Sequence, residues 1–349
     1  MKAVASSSHP FRIFFVSALI SISSVVGVWY FLGAKAAFLT LVLMLVEVTF
    51  SFDNAIINAR VLATMNKFWQ DMFITVGMLI AVFGMRLVFP VVLVMITTGL
   101  GAGHVIDLAL NKPDLYAHEL ERAHPLISSF GGMFLLMLAL AFFFDPGRKI
   151  RWLSVIERPL QRLGKWWVYT GIAILVLFVV AFLPFNDHPK DTLVAGGLGI
   201  VLQLGLSKLN DFFTSSQSSK SKSASPMMAG FMAFMYLQVL DASFSFDGVL
   251  GAFAVTKDVI LIAIGLGVGA LWVRSLTLFM VRRNVLGAYR YLEHGAHYTI
   301  AVLGGVLLIG LFFRVPEVVA GASGIVIVTA AVVSSIAASR AEKGVSHVG

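Results

Sequence analysis

The chain contains no cysteine. That excludes disulfides, thiolate metal sites and cysteine-based redox chemistry. Charge is scarce too: 13% of the residues are Asp, Glu, Lys or Arg, where soluble domains carry about 25%. No polar stretch is long enough to form a separate soluble domain. A nucleophile elbow, a P-loop and a catalytic triad signature are all missing, so no enzyme is expected. What the chain has in abundance is apolar surface, with 58% hydrophobic residues and a mean hydropathy of +0.90. This composition specifies a membrane protein. The net charge of +8 does not indicate a nucleic-acid partner, because the basic residues are spread through short loops. The 14 methionines read as packing residues in lipid-facing helices.

Ten apolar runs are long enough to cross about 30 Å of hydrocarbon. They lie near 12–32, 36–59, 72–98, 126–144, 167–184, 191–207, 229–256, 258–281, 298–313 and 316–337. Lys2 and Arg12 precede the first, and its length favours an uncleaved helix over a signal peptide ending near Ala34-Lys35-Ala36. The loops then separate by charge, with 18 Lys and Arg on one side and 6 on the other. The positive-inside rule puts both termini in the cytoplasm, and the expected location is the plasma (inner) membrane. The Ser/Lys-rich stretch from Thr214 to Pro226 reads as a cytoplasmic linker.

A motif recurs within these runs. Phe50-Ser51-Phe52-Asp53, led by Glu47, returns as Phe244-Ser245-Phe246-Asp247, led by Asp241. In the next run of each copy, Gly77 precedes Arg86 by nine residues and Gly265 precedes Arg274 by nine. Further on, Tyr116, Ala123, His124 and Gly131-Gly132 recur as Tyr289, Ala296, His297 and Gly304-Gly305 at one offset. A three-helix unit has been duplicated. Equivalent spans are separated by an odd number, so the second copy is inverted, an arrangement typical of transporters. The expected fold is all-α and polytopic, a single transmembrane domain over 1–349. Repeat 1 covers 36–145, two connecting helices and the linker cover 146–228, repeat 2 covers 229–315, and a last helix with its tail covers 316–349.

An acid at a helix centre in a bilayer costs roughly 2.5–3.5 kcal/mol on insertion scales, so these acids need a role. On a helix Glu47, Ser51, Asn54 and Asn58 share a face, and Gln238, Asp241, Ser245 and Gly248 form the matching stripe. Asp53 and Asp247 lie about 120° further round and 9 Å along. A helix break after them, at Asn54 and Gly248, is expected to turn all four acids toward one cavity. Arg86 and Arg274 stand in mid-span and are expected to pair with acids. Four carboxylates against two guanidiniums leave a surplus of two negative charges, which suits a divalent cation held by oxygen ligands. His118, Glu119, Glu121 and His124 in the outer segment are read as solvated loop, and His124 and His297 as helix-boundary residues. Gly265, Gly269 and the paired glycines at 131–132 and 304–305 are read as close helix-packing points.

Glu47-Val-Thr-Phe-Ser-Phe-Asp53-Asn54-Ala55, Asp241-Ala-Ser-Phe-Ser-Phe-Asp247-Gly248, the arginine-bearing helices that follow and Tyr291-Leu-Glu-His-Gly295 resemble the TerC family of integral membrane proteins, within the LysE-like transporter superfamily. The resemblance covers roughly residues 36–337. It implies an inverted-repeat protein linked to tellurium resistance and manganese export. It also implies that Glu47, Asp53, Asn54, Asp241 and Asp247 are metal-site residues. Arg86 and Arg274 then orient the site, and Ser51, Asn58, Gln238 and Ser245 complete its polar lining. The chain departs from the family in its extra N-terminal helix, its long outer segment at 100–125 and its extra helices between the repeats. The expected function is export of a divalent cation, Mn²⁺ first, by alternating access, with no resident cofactor. A non-transporting scaffold or metal-delivery partner in a stress-response complex is the alternative, and amino-acid export is a more distant one.

Overall fold

The computed structural model describes residues 10–218, 226–313 and 315–345. Their regular structure is helical throughout, with no strand among the described residues. In order the elements are α1 (Pro10–Phe50), α2 (Phe52–Leu62), α3 (Lys67–Leu79), a π-helical stretch (Ile80–Val88), α4 (Phe89–Thr98), α5 (Ala102–Asn111), α6 (Pro113–Phe143) and α7 (Ser154–Arg162). There follow α8 (Trp166–Phe182), α9 (Pro189–Ser218), α10 (Pro226–Val255), α11 (Val259–Arg282), α12 (Val285–Ala288), α13 (Leu292–Gly310) and α14 (Glu317–Val345). The protein is an all-α polytopic membrane protein.

Every apolar run of the sequence is helical, and among the described residues six helices, or seven if one bent pair counts as a span, are long and apolar enough to cross a membrane. Ten were expected. Part of the difference lies in α1. Gly33 interrupts it at φ 87, ψ 175, a conformation open to glycine because it lacks Cβ. Before the glycine, Phe14, Ser17 and Val28 contact Phe279, Leu271 and Leu261 in turn. After it, Leu43 and Glu47 lie against Gly265 and Gly269. The first half therefore runs antiparallel to α11 and the second half parallel to it, so the chain reverses at Gly33. α1 therefore contains the first expected span and most of the second.

Helix also occurs outside the expected spans. The segment at 100–125 holds α5 and the start of α6, so His118 and Glu119, read as loop, are helical. The connection at 146–165 contains the short α7. Thr214 to Ser218 continue α9, while residues 219–225 of the expected linker lie outside the described residues.

The chain forms two compact units. One comprises residues 1–124 and 208–283, the other 125–207 and 284–349. Each repeat contributes its first two helices to the first unit and its third helix to the second. In the first unit the second half of α1 runs parallel to α11, as shown above. There too α3 runs parallel to α10, with Trp69 beside Phe231 and Gly77 beside Phe234 and Gln238. The first helix of each repeat thus runs with the second helix of the other, which is the signature of inversion. In the second unit Gly132 meets Gly304 and Leu308 while Phe142 stacks on His297, so α6 and α13 are antiparallel. A Cβ on Gly132 would stand 3.2 Å from the Gly304 carbonyl, and one on Gly304 would stand 3.1 Å from the Gly132 carbonyl. The duplicated glycines let the two third helices touch backbone to backbone.

Candidate functional site

The site lies in the first unit, where the acid- and arginine-bearing helices of both repeats meet. Glu47 on α1 and Asp241 on α10 are both buried, as are Arg86 in the π-helical stretch and Arg274 on α11. Each acid pairs with the arginine of its own repeat: Glu47 Oε1 with Arg86 Nη2, and Asp241 Oδ2 with Arg274 Nη2 at 2.6 Å. Each arginine then reaches into the opposite repeat for a backbone carbonyl. Arg86 Nε donates to Leu266 O at 3.0 Å, and Arg274 Nη1 donates to Phe73 O at 2.8 Å. Arg86 Nη1 also donates to Ala81 O in its own helix, and the Arg274 guanidinium lies 4.1 Å from the centre of the Phe73 ring. Buried ion pairs survive in a low dielectric only when their remaining donors and acceptors are satisfied, and most of them are here.

The polar stripe on α1 and α2 faces this centre. Ser51 Oγ donates to Glu47 Oε1 at 3.1 Å, while Asn54 and Asn58 Nδ2 donate to Asp241 Oδ1 at 3.1 and 2.8 Å. All four members of the stripe line a cavity of about 20 Å³ together with Arg86, Asp241, Arg274 and three apolar residues. That is room for one water or one dehydrated ion. With their amide nitrogens committed to Asp241, the Oδ1 atoms of Asn54 and Asn58 are buried without a hydrogen-bond partner. Both amide atoms of Gln238 are likewise unpartnered, although Gln238 does not line the cavity.

Glycines set the distances. A Cβ on Gly269 would stand 2.6 Å from Glu47 Cβ and 3.1 Å from the Met44 carbonyl. A Cβ on Gly77 would stand 3.0 Å from Arg274 Nη1 and from Gln238 Nε2. A Cβ on Gly248 would lie 3.4 Å from Glu47 Oε2. Gly77 did not stand out in the sequence as a site residue. Its place nine residues before an arginine, repeated at Gly265, was the signal that could have found it.

Two expectations need correction. The helix containing the first motif is interrupted at Ser51 (φ −100, ψ 14), ahead of Asp53 and not after it, and Asn54 is helical within α2. The helix containing the second motif is unbroken through Gly248. Without a break after it, Asp53 stays about a third of a turn from the polar stripe. Asp53 is buried, with its carboxyl against the backbone N–H groups of Asp53 and Asn54 at the start of α2, and it does not line the cavity. The side chains of Ser245 and Asp247 lie outside the described residues. Among the described residues no three His, Cys, Asp or Glu side chains converge as a metal cluster. Among the described residues the cavity balances two carboxylates against two guanidiniums.

The histidines outside this site have structural settings. His118 is exposed on α6 beside Glu119, which Arg122 also contacts. His297 Nδ1 lies 2.8 Å from the Glu293 carbonyl, and its ring stacks on Phe142 at 3.6 Å.

No curated protein and no solved structure matches the chain. A family model described as "Protein of unknown function (DUF475)" matches residues 52–342, and the chain belongs to that family.

Proposed function

We propose that the protein is an inverted-repeat transporter of a small hard cation, in which Arg86 and Arg274 serve as built-in counter-cations that the cargo displaces from Glu47 and Asp241. The observation that carries this reading is a cavity for one ion, ringed by two acid–arginine pairs and two unpartnered amide oxygens. Its size excludes an amino acid as cargo in this state. The donors are carboxylate, amide and hydroxyl oxygen, which select hard ions, and the TerC resemblance makes Mn²⁺ the first candidate. A divalent ion entering with both pairs intact would bring two positive charges to carboxylates already neutralised by arginine, which is unfavourable in a buried setting. The cargo therefore binds as an arginine swings away, and the re-forming pair expels it. Such an exchange couples occupancy to the arrangement of the two repeats, as alternating access requires. On this reading the chain sits in the plasma membrane with both termini cytoplasmic, as the distribution of Lys and Arg supports, and takes part in metal or tellurium stress resistance, as the TerC resemblance suggests.

The test is Mn²⁺ flux in proteoliposomes containing the wild type, Glu47→Gln or Asp241→Asn. Flux in the wild type and its loss in both variants is the expected result. Flux that persists in both variants removes these pairs from the pathway. A wild type that catalyses no flux of Mn²⁺, Mg²⁺ or Ca²⁺ returns the scaffold reading to first place.

A further inference from the structure

The second unit holds a separate polar feature that the transport reading does not use. Between α6 and α8 the chain forms the nine-residue helix α7, followed by a bend of 109° into the apolar α8. If α8 crosses the bilayer, a helix set nearly perpendicular to it lies along the membrane surface. Its composition fits that position. Glu157 and Gln161, one turn apart, form its buried face. Glu157 accepts from the Trp152 and Leu153 N–H groups, both at 3.1 Å, and from the Tyr298 hydroxyl, which locks α7 onto α13. Val155 (90% exposed), Ile156 and Leu163 are bare, and Trp166 and Trp167 are exposed at the start of α8. Exposed apolar residues on a charged surface helix, with tryptophans beside them, mark insertion at the headgroup level.

Beside these residues a cavity of about 370 Å³ is lined by Pro146, Arg151, Arg158, Gln161 and Arg162. No acid lines it. Arg158 and Arg162, also one turn apart, have no hydrogen-bond or ion-pair partner among the described residues. Arg151 spends its Nε on Gln161 Oε1 at 2.5 Å, which fixes the guanidinium on the cavity wall. Gly164 packs the end of α7 against the preceding segment: a Cβ there would stand 2.5 Å from the Phe144 carbonyl and 3.0 Å from the Pro146 ring. The volume lies within the range of small-molecule sites, about 300–1,000 Å³. Three guanidiniums without a carboxylate, one of them held in place, form a receptor for a phosphate group.

We propose that this cavity binds the phosphate headgroup of an anionic phospholipid, whose acyl chains lie along Val155, Ile156 and Trp166. A lipid fits better than free phosphate, because the cavity opens beside apolar side chains that only an acyl chain or the bilayer would cover. The bound lipid anchors α7, and through Glu157 and Tyr298 it braces α13.

Native mass spectrometry of the delipidated full-length protein, titrated with phosphatidylglycerol or phosphatidylcholine, tests the proposal. The variants are Arg158→Gln/Arg162→Gln, which keeps the Arg151–Gln161 bond, the triple variant with Arg151→Gln added, and Arg340→Gln as a basic control on α14. The expected result is roughly tenfold or greater weakening of phosphatidylglycerol binding in the double variant and more in the triple, with phosphatidylcholine and the control unchanged. Unchanged phosphatidylglycerol binding in the double variant overturns the proposal. Inorganic phosphate displacing phosphatidylglycerol at equal concentration also overturns it, in favour of a free-anion site. Neither result depends on whether Mn²⁺ is transported.

Discussion

In the first half of the site Glu47 lies one turn before an interruption at Ser51, and Arg86 sits in a π-helical stretch. In the second half Asp241 and Arg274 sit in unbroken α-helices. The two halves carry the same chemical groups in the same order on backbones of different regularity. Interruptions and π-turns inside membrane helices are found where a helix lines a cavity or must change shape. The second repeat thus offers a stiff frame, and the irregular first repeat is the half that can rearrange. The hydrogen bonds agree with this division. Asp241 is fastened by three side chains, two of them from the other repeat. Among the described contacts Glu47 is held by Arg86 and Ser51, both in its own repeat.

The comparison is broken most severely by removing an acid. Asp241→Ala strips Arg274 of its carboxylate and leaves the amides of Asn54 and Asn58 without their acceptor, so a loss of roughly 3–5 kcal/mol is expected. Glu47→Ala should cost less, because Arg86 retains the carbonyls of Leu266 and Ala81. Unfolding in detergent with increasing denaturant measures both. Replacing the pair together, as Asp241→Leu/Arg274→Met, should recover much of the loss, since no buried charge is then left alone. If Glu47→Ala proves the more damaging of the two, the stiff half has been assigned to the wrong repeat.

Glycine substitutions sharpen the same contrast at intermediate size. Alanine at Gly269 meets Glu47 Cβ and the Met44 carbonyl, atoms fixed by the backbone. Alanine at Gly77 meets the ends of two long side chains. Overpacking typically costs about 1–3 kcal/mol, and Gly269→Ala should fall at the upper end and Gly77→Ala at the lower. Because Arg274 must move to admit the new methyl group, Gly77→Ala should nonetheless reduce Mn²⁺ flux. Equal melting losses with unchanged flux in Gly77→Ala would show that the Arg274 position is not critical.

The sequence made the polar stripe readable because Glu47, Ser51, Asn54 and Asn58 lie on one face by helical spacing alone, and all four reach the cavity. The duplication, and with it the inversion, was readable from recurring residues at constant offsets. The pairing of acid with arginine followed from the cost of an unpaired charge in hydrocarbon. Asp53 was misplaced because its position depends on where the helix breaks. Asn54 and Gly248 tolerate a break without requiring one, whereas Ser51 gives no strong signal of its own. The apolar runs marked where helices form but not how they turn, since the reversal at Gly33 inside α1 follows from one glycine conformation. α7 was missed because it is nine residues long and strongly charged, so a search for long apolar runs passes over it. The basic cavity depends on how the segment from Pro146 to Arg151 folds beside α7, which only the three-dimensional structure reveals.

The smallest effect on stability should come from the residue that most distinguishes the two arginine helices. Pro90 has no N–H to return to the Arg86 carbonyl, and one residue earlier the Phe89 N–H reaches back five residues to Gly84 O. The corresponding stretch of α11 is regular. Pro90 occupies the first turn of α4, where proline is well tolerated. Pro90→Ala should therefore shift stability by less than about 1 kcal/mol. Restoring the donor allows the widened turn to relax into regular α-helix, which removes one residue from the turn. Arg86 would then rotate by roughly 100° relative to α4, away from Glu47. Hydrogen exchange at Val88 and Phe89 should slow as the turn tightens, and Mn²⁺ flux should fall while the melting point holds. A variant that exchanges and transports as the wild type does would mean that the irregularity of the first repeat is a packing detail, with the movable half to be sought elsewhere.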